Sequence, residues 1–263
     1  MTTQIGNNYT GQVGRQQQVA GGIITSAQYQ KDHCNCDWHY HKNLHLTFVF
    51  QGTGTSESRA SGNVKPAESV YLYRAGERHR WIPATPLCTS INVELEETFH
   101  QQFDLSDGEV GRALETNRDV KFLLLKMQRE LMLADPDSPA SMTTLLLDLA
   151  SQPQKASRLP PDWLNIATEY LHDHWSEPVS LTALSLAADV HPVTLSKSFR
   201  RHFHCTLGEY ARKLKIEHSL SLVKDSKMSL TQVALQCGFA DQSHFLRTFK
   251  QITGFRPGRY RRL

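Results

Sequence analysis

Alternating apolar and polar residues mark a sheet-forming region between residues 44 and 95 of the chain. Apolar side chains occupy every second position of residues 44–50, and the same alternation returns over residues 91–95. Residues 70–73 form a short apolar run, and a glycine-rich turn follows residue 51. Short strands separated by glycine and proline turns are typical of a β-sandwich or a small β-barrel.

From residue 119 onward the apolar positions recur every three or four residues, which is the period of an α-helix. Two amphipathic stretches, in residues 120–131 and 142–149, are separated by a polar segment that contains two prolines. These stretches predict a helical hairpin that follows the sheet.

Two segments without hydrophobic periodicity indicate where the domains end. Residues 1–22 are polar and rich in glutamine, so we expect a flexible arm. Residues 151–161 carry three prolines among polar residues and predict an interdomain linker. The predicted fold has two domains, which are an N-terminal β-barrel with a helical hairpin over residues 23–150 and an all-helical domain over residues 162–263.

An internal repeat is the strongest pattern in the predicted C-terminal domain. The pattern of residues 180–190 returns 49 residues later in residues 229–239, and that of residues 195–200 returns 50 residues later in residues 245–250. Each copy has a serine-capped amphipathic stretch, a short break, and a second stretch with basic residues between apolar anchors.

This layout predicts two helix-turn-helix modules, about residues 180–203 and 229–252, joined by a helix over residues 207–224. The second helix of such a module can enter the major groove of DNA. Two modules on one rigid spacer would meet successive major-groove segments about 34 Å apart.

The distribution of charge changes the interpretation of this domain. The whole chain carries 29 Lys and Arg against 26 Asp and Glu, a formal net charge of only +3. Residues 197–263 alone hold 14 basic and 4 acidic residues, a net charge of +10, whereas residues 159–196 hold five acidic residues and no basic ones. The basic segment favours a polyanionic partner, and the predicted modules make that partner double-stranded DNA.

Helix geometry divides the second helix of each module into a core side and an outward side. Leu195 and Phe199 are i, i+4 neighbours, as are Phe245 and Phe249, and we expect all four to be buried. The outward positions are candidates for reading base edges: Val193, Thr194, Ser196, Lys197, Arg200, Gln242, Ser243, His244 and Arg247. Outer basic residues suit phosphate contacts instead: Arg201, Lys250, Arg259, Arg261 and Arg262.

The second module also carries a specific motif. Residues 233–245 read VALQCGFADQSHF and are followed by Arg247, Phe249, Gly254, Pro257, Tyr260 and Arg261. With this motif, residues 163–262 resemble the DNA-binding domain of the AraC/XylS family of bacterial transcription regulators. The resemblance implies base-reading positions at Val193, Ser196, Lys197, Gln242, Ser243 and Arg247. The chain departs from the family at His204, where the family often has glycine.

Histidines cluster just before the first alternating segment. His39, His41 and His45 have even spacing, which on a single strand puts all three on one face. Residues 39–52 resemble the first cupin motif, with His45 at a position usually held by glutamate, and residues 75–79 resemble the second. The resemblance implies a cupin-like domain and a site for Zn, Ni, Cu or Fe with four imidazole ligands, His39, His41, His45 and His79.

An N-terminal domain without a cofactor is the competing interpretation of the same residues. Members of the AraC/XylS family with a cupin-like domain commonly use it as a sensing and dimerising barrel that holds no metal. Cys34 and Cys36 lie just upstream of the histidines, and they are either a thiol sensor or two ordinary surface cysteines. Cys88 and Cys237 lie among apolar residues and are expected in the core.

These patterns together predict a sequence-specific transcription regulator whose N-terminal domain responds to a small-molecule effector or to another signal. The family resemblance also implies a homodimer formed through the helical pair at residues 119–150, and packing of the same leucines against the barrel is the alternative. We expect a contact with RNA polymerase as well. No nucleophilic triad or phosphate-binding glycine loop is present, so no enzymatic activity is expected. The alternative is a metal-dependent cupin enzyme, or a metal or redox sensor, fused to a DNA-binding domain.

The sequence also indicates where the protein works. The first 22 residues lack the apolar stretch of a signal peptide, and no apolar run approaches the roughly 20 residues that span a bilayer. Five scattered cysteines form no dense disulfide framework. We therefore expect a cytoplasmic protein without a membrane partner.

Overall fold

The chain divides into two compact units, one of Met1–Gln152 with Leu263 and one of Pro153–Arg262. The first unit is rich in strands and the second is helical, which confirms the predicted two-domain layout at this level. The boundaries of arm, linker and domains stay predictions, because residues 151–159 lie outside the described part. The computed structural model describes residues 3–4, 11–32, 37–58, 70–150, 160–224 and 227–263.

The described part of the first unit holds nine strands in two sheets. They are β1 (Thr3–Gln4), β2 (Gln12–Val19), β3 (Gly22–Gln30), β4 (His39–Tyr40), β5 (Leu44–Gln51), β6 (Gly54–Ser58), β7 (Val70–Tyr73), β8 (His79–Pro83) and β9 (Leu87–Leu95). One sheet has four strands in the order β1-β4-β8-β6, and the other has five in the order β2-β3-β9-β5-β7. Both sides of β5 and β9 are buried, so the five-stranded sheet is covered on both faces at its centre.

The predicted closed β-barrel is not formed by these strands. Only Gly52 and Thr53 separate β5 from β6, yet β5 pairs with β7 and β9, whereas β6 pairs with β8. Gly52 has a φ of +80°, a conformation that glycine adopts without steric cost. The chain therefore passes from one sheet to the other at this turn, and across the described ranges no strand of one sheet pairs with a strand of the other. The cupin-like character of this arrangement stays a prediction.

Four helices follow the strands of the first unit. They are α1 (Glu97–Phe103), α2 (Asp107–Thr116), α3 (Val120–Leu133) and α4 (Ser138–Ala150). α3 and α4 are the two helices of the predicted hairpin, and Leu124, Leu125, Leu146 and Leu149 are fully buried. α1 and α2 were not predicted, because each is too short to show a clear helical period. α2 begins at a capping box in which Ser106 and Glu109 satisfy each other's backbone amides.

Part of the predicted flexible arm lies in a strand. β2 is an edge strand that pairs with β3 except for an irregularity between Val13 and Gln16, and most of its side chains are exposed. An edge strand exposed to solvent needs no apolar alternation, which explains why the sequence pattern missed it. Arg15 also anchors β2, since its Nη1 donates to the carbonyl oxygens of Leu131 (2.9 Å) and Met132 (2.8 Å) at the end of α3.

The second unit is built from helices in its described residues. They are α5 (Asp162–Asp173), α6 (Leu181–Ala187), α7 (Pro192–Phe203), α8 (Leu207–Lys224), α9 (Leu230–Gln236), α10 (Gln242–Thr253) and α11 (Pro257–Tyr260). We call α6 and α7 the first module and α9 and α10 the second module. In the described residues, no helix of either unit is both long and apolar enough to cross a membrane.

Candidate nucleic-acid interface and histidine cluster

The first helix of each module begins at a serine cap, as the repeat predicts. Ser180 Oγ accepts from the backbone N–H of Ala183 at 3.0 Å, and Ser229 Oγ accepts from that of Gln232 at 3.2 Å. The Gln232 side chain returns a bond to the Ser229 amide, which completes a capping box in the second module. In the first module, the third helical residue is Ala183, which has no side-chain acceptor to return such a bond.

The second helix of each module is held by one polar cap and two buried anchors. The ring Nδ1 of His191 accepts from the Val193 amide at 3.3 Å, and Asp241 accepts from the His244 amide at 2.7 Å. The predicted anchors Leu195, Phe199, Phe245 and Phe249 are all fully buried. The two anchors lie one turn apart on the same side of each helix, so the opposite side must face outward.

The candidate base-reading residues lie on this outward side. In α7, Thr194, Lys197 and Arg200 are exposed, Ser196 is half-buried, and Val193 keeps 52% of its surface exposed. An exposed valine at the start of a helix is available for an apolar contact with a thymine methyl group.

The corresponding face of α10 is more polar than that of α7, and neighbouring residues hold two of its side chains in place. Ser243 and Arg247 are exposed, whereas Gln242 and His244 are half-buried. Thr231 donates to Oε1 of Gln242 at 2.6 Å, and the His244 ring meets the Phe239 ring edge to face at 5.2 Å. One lone pair of the Gln242 carbonyl is therefore already used inside the module.

Four of the five candidate phosphate ligands are exposed, whereas the fifth donates hydrogen bonds within the protein. Arg201, Lys250, Arg259 and Arg262 are exposed basic side chains. Arg261 is half-buried, and its Nε and Nη2 donate to the carbonyl oxygens of Val223 (2.7 Å) and Met228 (2.8 Å). The Arg261 guanidinium thus ties the end of α8 to the segment before α9.

The structure brings all four predicted histidines together in the first unit, but not on one strand. β4 ends at Tyr40 and β5 begins at Leu44, so the chain turns between His41 and His45. The two rings nevertheless stack at a centroid distance of 3.8 Å, and the rings of His39 and His79 lie 4.5 Å apart. All four imidazoles are buried.

Three of these rings form a group that suits a metal ion. The ligand atoms of His39, His41 and His79 lie within 4.8 Å of one another. Nδ1 of His39 donates to the Asp37 carbonyl at 3.0 Å and Nδ1 of His79 donates to the Glu77 carbonyl at 2.9 Å. Such bonds fix the tautomer and leave Nε2 of these two rings as the ligand nitrogen, an arrangement common around protein-bound metals.

His45 lies between a hydroxyl group on one side and the Glu94 carboxylate on the other. The Thr47 hydroxyl donates to Asn92 at 2.8 Å, so it accepts the bond from His45 Nε2 at 2.7 Å. His45 Nδ1 lies 3.6 Å from Oε1 of Glu94. A neutral His45 that donates from Nε2 has no proton on Nδ1, and the ligand atoms of His41, His45 and Glu94 lie within 4.8 Å of one another, so His45 stays a candidate metal ligand.

Glu94 is a member of the cluster that the sequence analysis missed. Its Oε1 lies 3.2 Å from Nδ1 of His41, and its side chain is buried. The alternation of β9 suggests an outward, solvated Glu94, but its strand partner is His45 and both faces of β9 are covered. The available signal was a carboxylate on β9, a strand that pairs with the one that carries His45.

The pKa shifts of the cluster favour neutral rings at His39, His45 and His79 beside an ionised Glu94. Burial lowers the pKa of His39 and His79, and burial together with the charge of His41 lowers that of His45 to about 3. Burial alone raises the pKa of Glu94, but the ring nitrogens of His41 and His45 outweigh burial and hold that pKa below its usual range. Neutral imidazoles are the form that binds a transition metal.

A pocket opens beside the histidines and is lined by aromatic side chains. Its aromatic walls come from Tyr29, Tyr71, Tyr73 and Trp81. The Tyr73 hydroxyl forms a hydrogen bond with the Ser56 hydroxyl. The Tyr73 ring stacks on the His79 ring with a centroid distance of 3.6 Å. The lining of the pocket therefore combines aromatic rings with polar groups.

The cysteines divide between the two predicted roles. Cys88 and Cys237 are buried, as expected for core residues, and burial raises the pKa of Cys237 to about 11. Cys34 and Cys36 lie outside the described residues. The thiol-sensor hypothesis for that pair therefore stays a prediction.

Comparison with known proteins relates the chain to helix-turn-helix regulators. A family model described as a helix-turn-helix domain matches residues 184–263. The HTH-type transcriptional activator RhaS of Escherichia fergusonii is 28% identical over 147 residues, which cover 54% of this chain and 53% of the relative. In that comparison the chain spans about half the length of the relative.

Two further comparisons extend over different parts of the chain. The HTH-type transcriptional activator RhaS of Shigella sonnei is 24% identical over 236 residues, which cover 83% of this chain and 85% of the relative. A transcriptional regulator with an AraC-type DNA-binding domain from Chromobacterium violaceum is 22% identical, with a TM-score of 0.37, over 38% of this chain and 90% of that chain.

Proposed function

We infer that this chain is a DNA-binding transcription regulator of the AraC/XylS family. The observation that carries this inference is the pair of helix-turn-helix modules, each with basic residues on the outward side of its second helix. We call α7 and α10 the recognition helices, and we propose that each enters a major groove of the same duplex.

Base reading is assigned to the outward side of the recognition helices. The exposed guanidinium of Arg247 suits guanine, because it can donate two parallel hydrogen bonds to O6 and N7. Lys197 is its counterpart in α7 and offers a single ammonium. Gln242 contributes mainly through its amide NH₂, since Thr231 already donates to its Oε1. The remaining proposed base contacts come from Val193, Thr194, Ser196, Arg200, Ser243 and His244.

Phosphate contacts are assigned to the exposed basic residues around these helices. Arg201, Lys250 and Arg259 would hold the protein in register on the duplex without reading its sequence. Every phosphate that such a residue neutralises releases a condensed counterion. Affinity should therefore fall steeply as the salt concentration rises.

Selection from a random pool of double-stranded DNA with the full-length protein tests this function. We expect one recurring motif with two parts about one helical turn apart, and a plot of log affinity against log salt with a slope of about −0.9 for each phosphate bound. Equal binding to all sequences, or an affinity that does not change with salt, would contradict the proposal.

We assign regulation to the first unit. A small-molecule effector would bind in the aromatic pocket beside the histidines, and α3 and α4 would carry the homodimer contact. RNA polymerase is the proposed protein partner at the promoter, and no enzymatic activity is assigned. The mechanism is allosteric only if the effector binds the DNA-competent and DNA-incompetent states with different affinities.

A second candidate function, sensing of a transition metal, is favoured by the geometry of three histidines. His39, His41 and His79 would hold the ion, and Glu94 would orient the His41 ring. The donor set fits, because neutral nitrogen ligands suit Zn, Ni, Cu and Fe(II). A bound ion would supply a fixed positive centre with positions open to a further ligand at the edge of the pocket.

Metal analysis of the untagged, full-length protein tests this second function. We expect Zn²⁺ or Ni²⁺ to bind with a stoichiometry near one, and His79→Gln to abolish that binding. His100→Gln is the matched control, because His100 is a buried histidine outside the cluster whose Nε2 lies 3.0 Å from Asp107. Absence of any transition metal, both after purification and after loading, would remove the metal hypothesis and leave the effector hypothesis in place.

A further inference from the structure

The turn between α9 and α10 is enclosed by two other parts of the second unit. Gly238 sits in this turn with a φ of +67°, and a Cβ placed on it would lie 1.6 Å from the Ser176 carbonyl oxygen. That oxygen belongs to the segment between α5 and α6. The backbone of the turn is thus packed directly against the first half of the unit.

Lys215 holds the same turn from the side of α8. Its Nζ donates to the Gly238 carbonyl oxygen at 2.8 Å and lies 5.9 Å from the centroid of the Phe239 ring. Phe239 is buried and packs edge to face against the rings of His244 and Phe245 in the first turn of α10. A single side chain of α8 therefore touches the peptide and the ring that set the start of α10.

The segment that presses on Gly238 is itself fixed to the first module. Trp175 packs against the core that contains Leu184, Leu195 and Phe199, and its ring stacks on His218 of α8 at 4.2 Å. Ser176 follows Trp175 directly, so its carbonyl is held by the first module and by α8.

We propose that Lys215 is a positioning residue for sequence recognition, which sets the direction of α10 relative to α7 without touching DNA. The proposal rests on the assigned DNA-binding function of the two modules. Lys215 is only half-buried, but its ammonium is directed at the protein, where it donates to the Gly238 carbonyl oxygen. Burial lowers the pKa of its ammonium, which agrees with a group turned toward the protein.

This role differs in a measurable way from that of a phosphate ligand or a general structural residue. A lost phosphate contact weakens binding to all sequences and lowers the magnitude of the salt slope by about 1. A global loss of stability lowers the active fraction for all sequences alike. A misdirected α10 lowers discrimination at the base pairs that α10 reads and leaves those read by α7 unchanged.

The experiment measures binding of full-length variants to every single-base variant of the motif selected with the wild-type protein. Arg247→Ala and Lys197→Ala first assign base pairs to α10 and α7. For Lys215→Met we expect discrimination at the α10 positions to fall from about tenfold to below about threefold. We also expect full discrimination at the α7 positions and an unchanged salt slope. Lys213→Met is the matched control on α8, and Lys250→Met is the reference for a lost phosphate contact.

Each other outcome overturns the proposal. A uniform loss with a shallower salt slope makes Lys215 a phosphate ligand, a uniform loss with an unchanged slope makes it merely structural, and an unchanged profile removes any role. If Lys215→Met does not fold, Lys215→Gln, which keeps an N–H donor in a shorter side chain, is judged by the same criteria. If the wild-type protein selects no motif, the DNA-binding function fails rather than the role of Lys215.

Discussion

The two helix-turn-helix modules share one backbone path but differ in the residues placed at its left-handed positions. In the first module these positions hold Asp189 (φ 48°) and His204 (φ 52°), and in the second they hold Gly238 (φ 67°) and Gly254 (φ 83°). Both pairs obey the spacing of the repeat. Left-handed φ values are a property of the turn and of the helix end, and glycine adopts them at the lowest steric cost.

Packing explains why the second module cannot use the residues of the first. Asp189 is exposed, so its side chain has room, whereas Gly238 faces the Ser176 carbonyl and Lys215. The first module thus satisfies its turn locally, while the second depends on contacts from α8 and from the segment after α5. The two turns therefore have the same backbone geometry, but the turn of the second module depends more on contacts from the rest of the unit.

The largest effect expected from this difference is on stability. Gly238→Ala should lower the free energy of unfolding by about 3 kcal/mol, because the added methyl group collides with backbone and the φ is unfavourable for alanine. Asp189→Ala is the matched change in the first module and should cost less than about 1 kcal/mol. Calorimetry of the full chain measures both. Equal losses would show that the two turns are equivalent.

The next largest effect concerns base reading by equivalent residues. Arg247→Ala should cost about 1–3 kcal/mol of binding free energy at the selected site and relax the preference at one base pair. Lys197→Ala should cost less, since a flexible ammonium lacks the rigid planar fork of the guanidinium. Titrations on the selected motif and on a scrambled duplex separate the two. If both variants lose the same affinity on both duplexes, neither residue reads a base.

A smaller effect separates two arginines at the end of the second module. Arg261→Ala should lower the stability by about 1–2 kcal/mol, because the carbonyl oxygens of Val223 and Met228 lose a charged donor. It should leave the salt slope of DNA binding unchanged. Arg259→Ala, at an exposed position, should do the opposite, with a slope reduced by about 1 and little change in stability. A shallower slope for Arg261→Ala would return that residue to the phosphate ligands.

The smallest expected effect is a gain in stability in the first module. His204→Gly should raise the free energy of unfolding by about 1 kcal/mol, since His204 ends α7 in a left-handed conformation. The reverse change at the equivalent position, Gly254→Ala, should lower it by about the same amount. Thermal unfolding of the full chain measures both shifts. A loss of stability in His204→Gly would mean that the imidazole makes contacts worth more than the strain.

Local patterns predicted much of the second unit. The repeat predicted both modules and the connecting helix, and the i, i+4 rule correctly predicted burial of Leu195, Phe199, Phe245 and Phe249. Serine caps and the helical period act over a few residues, so they are visible in the sequence alone. The same rule placed the candidate base-reading residues outward, and their contacts with DNA stay predictions.

The first unit shows what such patterns leave open. The alternation of β9 gave no indication that Glu94 is buried beside His41, because that burial results from a second layer covering the sheet. The chain passes between sheets at Gly52, so the predicted closed barrel was wrong even though three of the strands, β5, β7 and β9, were predicted. β2 was missed because its side chains face solvent while its backbone is paired.

The sequence by itself determined the periods, the caps, the repeat and the motif that resembles a regulator family, since each depends on residues close together in the chain or on a fixed spacing. Only the tertiary structure decided which distant groups meet: Glu94 with His41, Arg261 with the carbonyl of Val223, and Lys215 with that of Gly238. Such pairings depend on how separate elements pack, and packing is a property of the whole unit rather than of any segment.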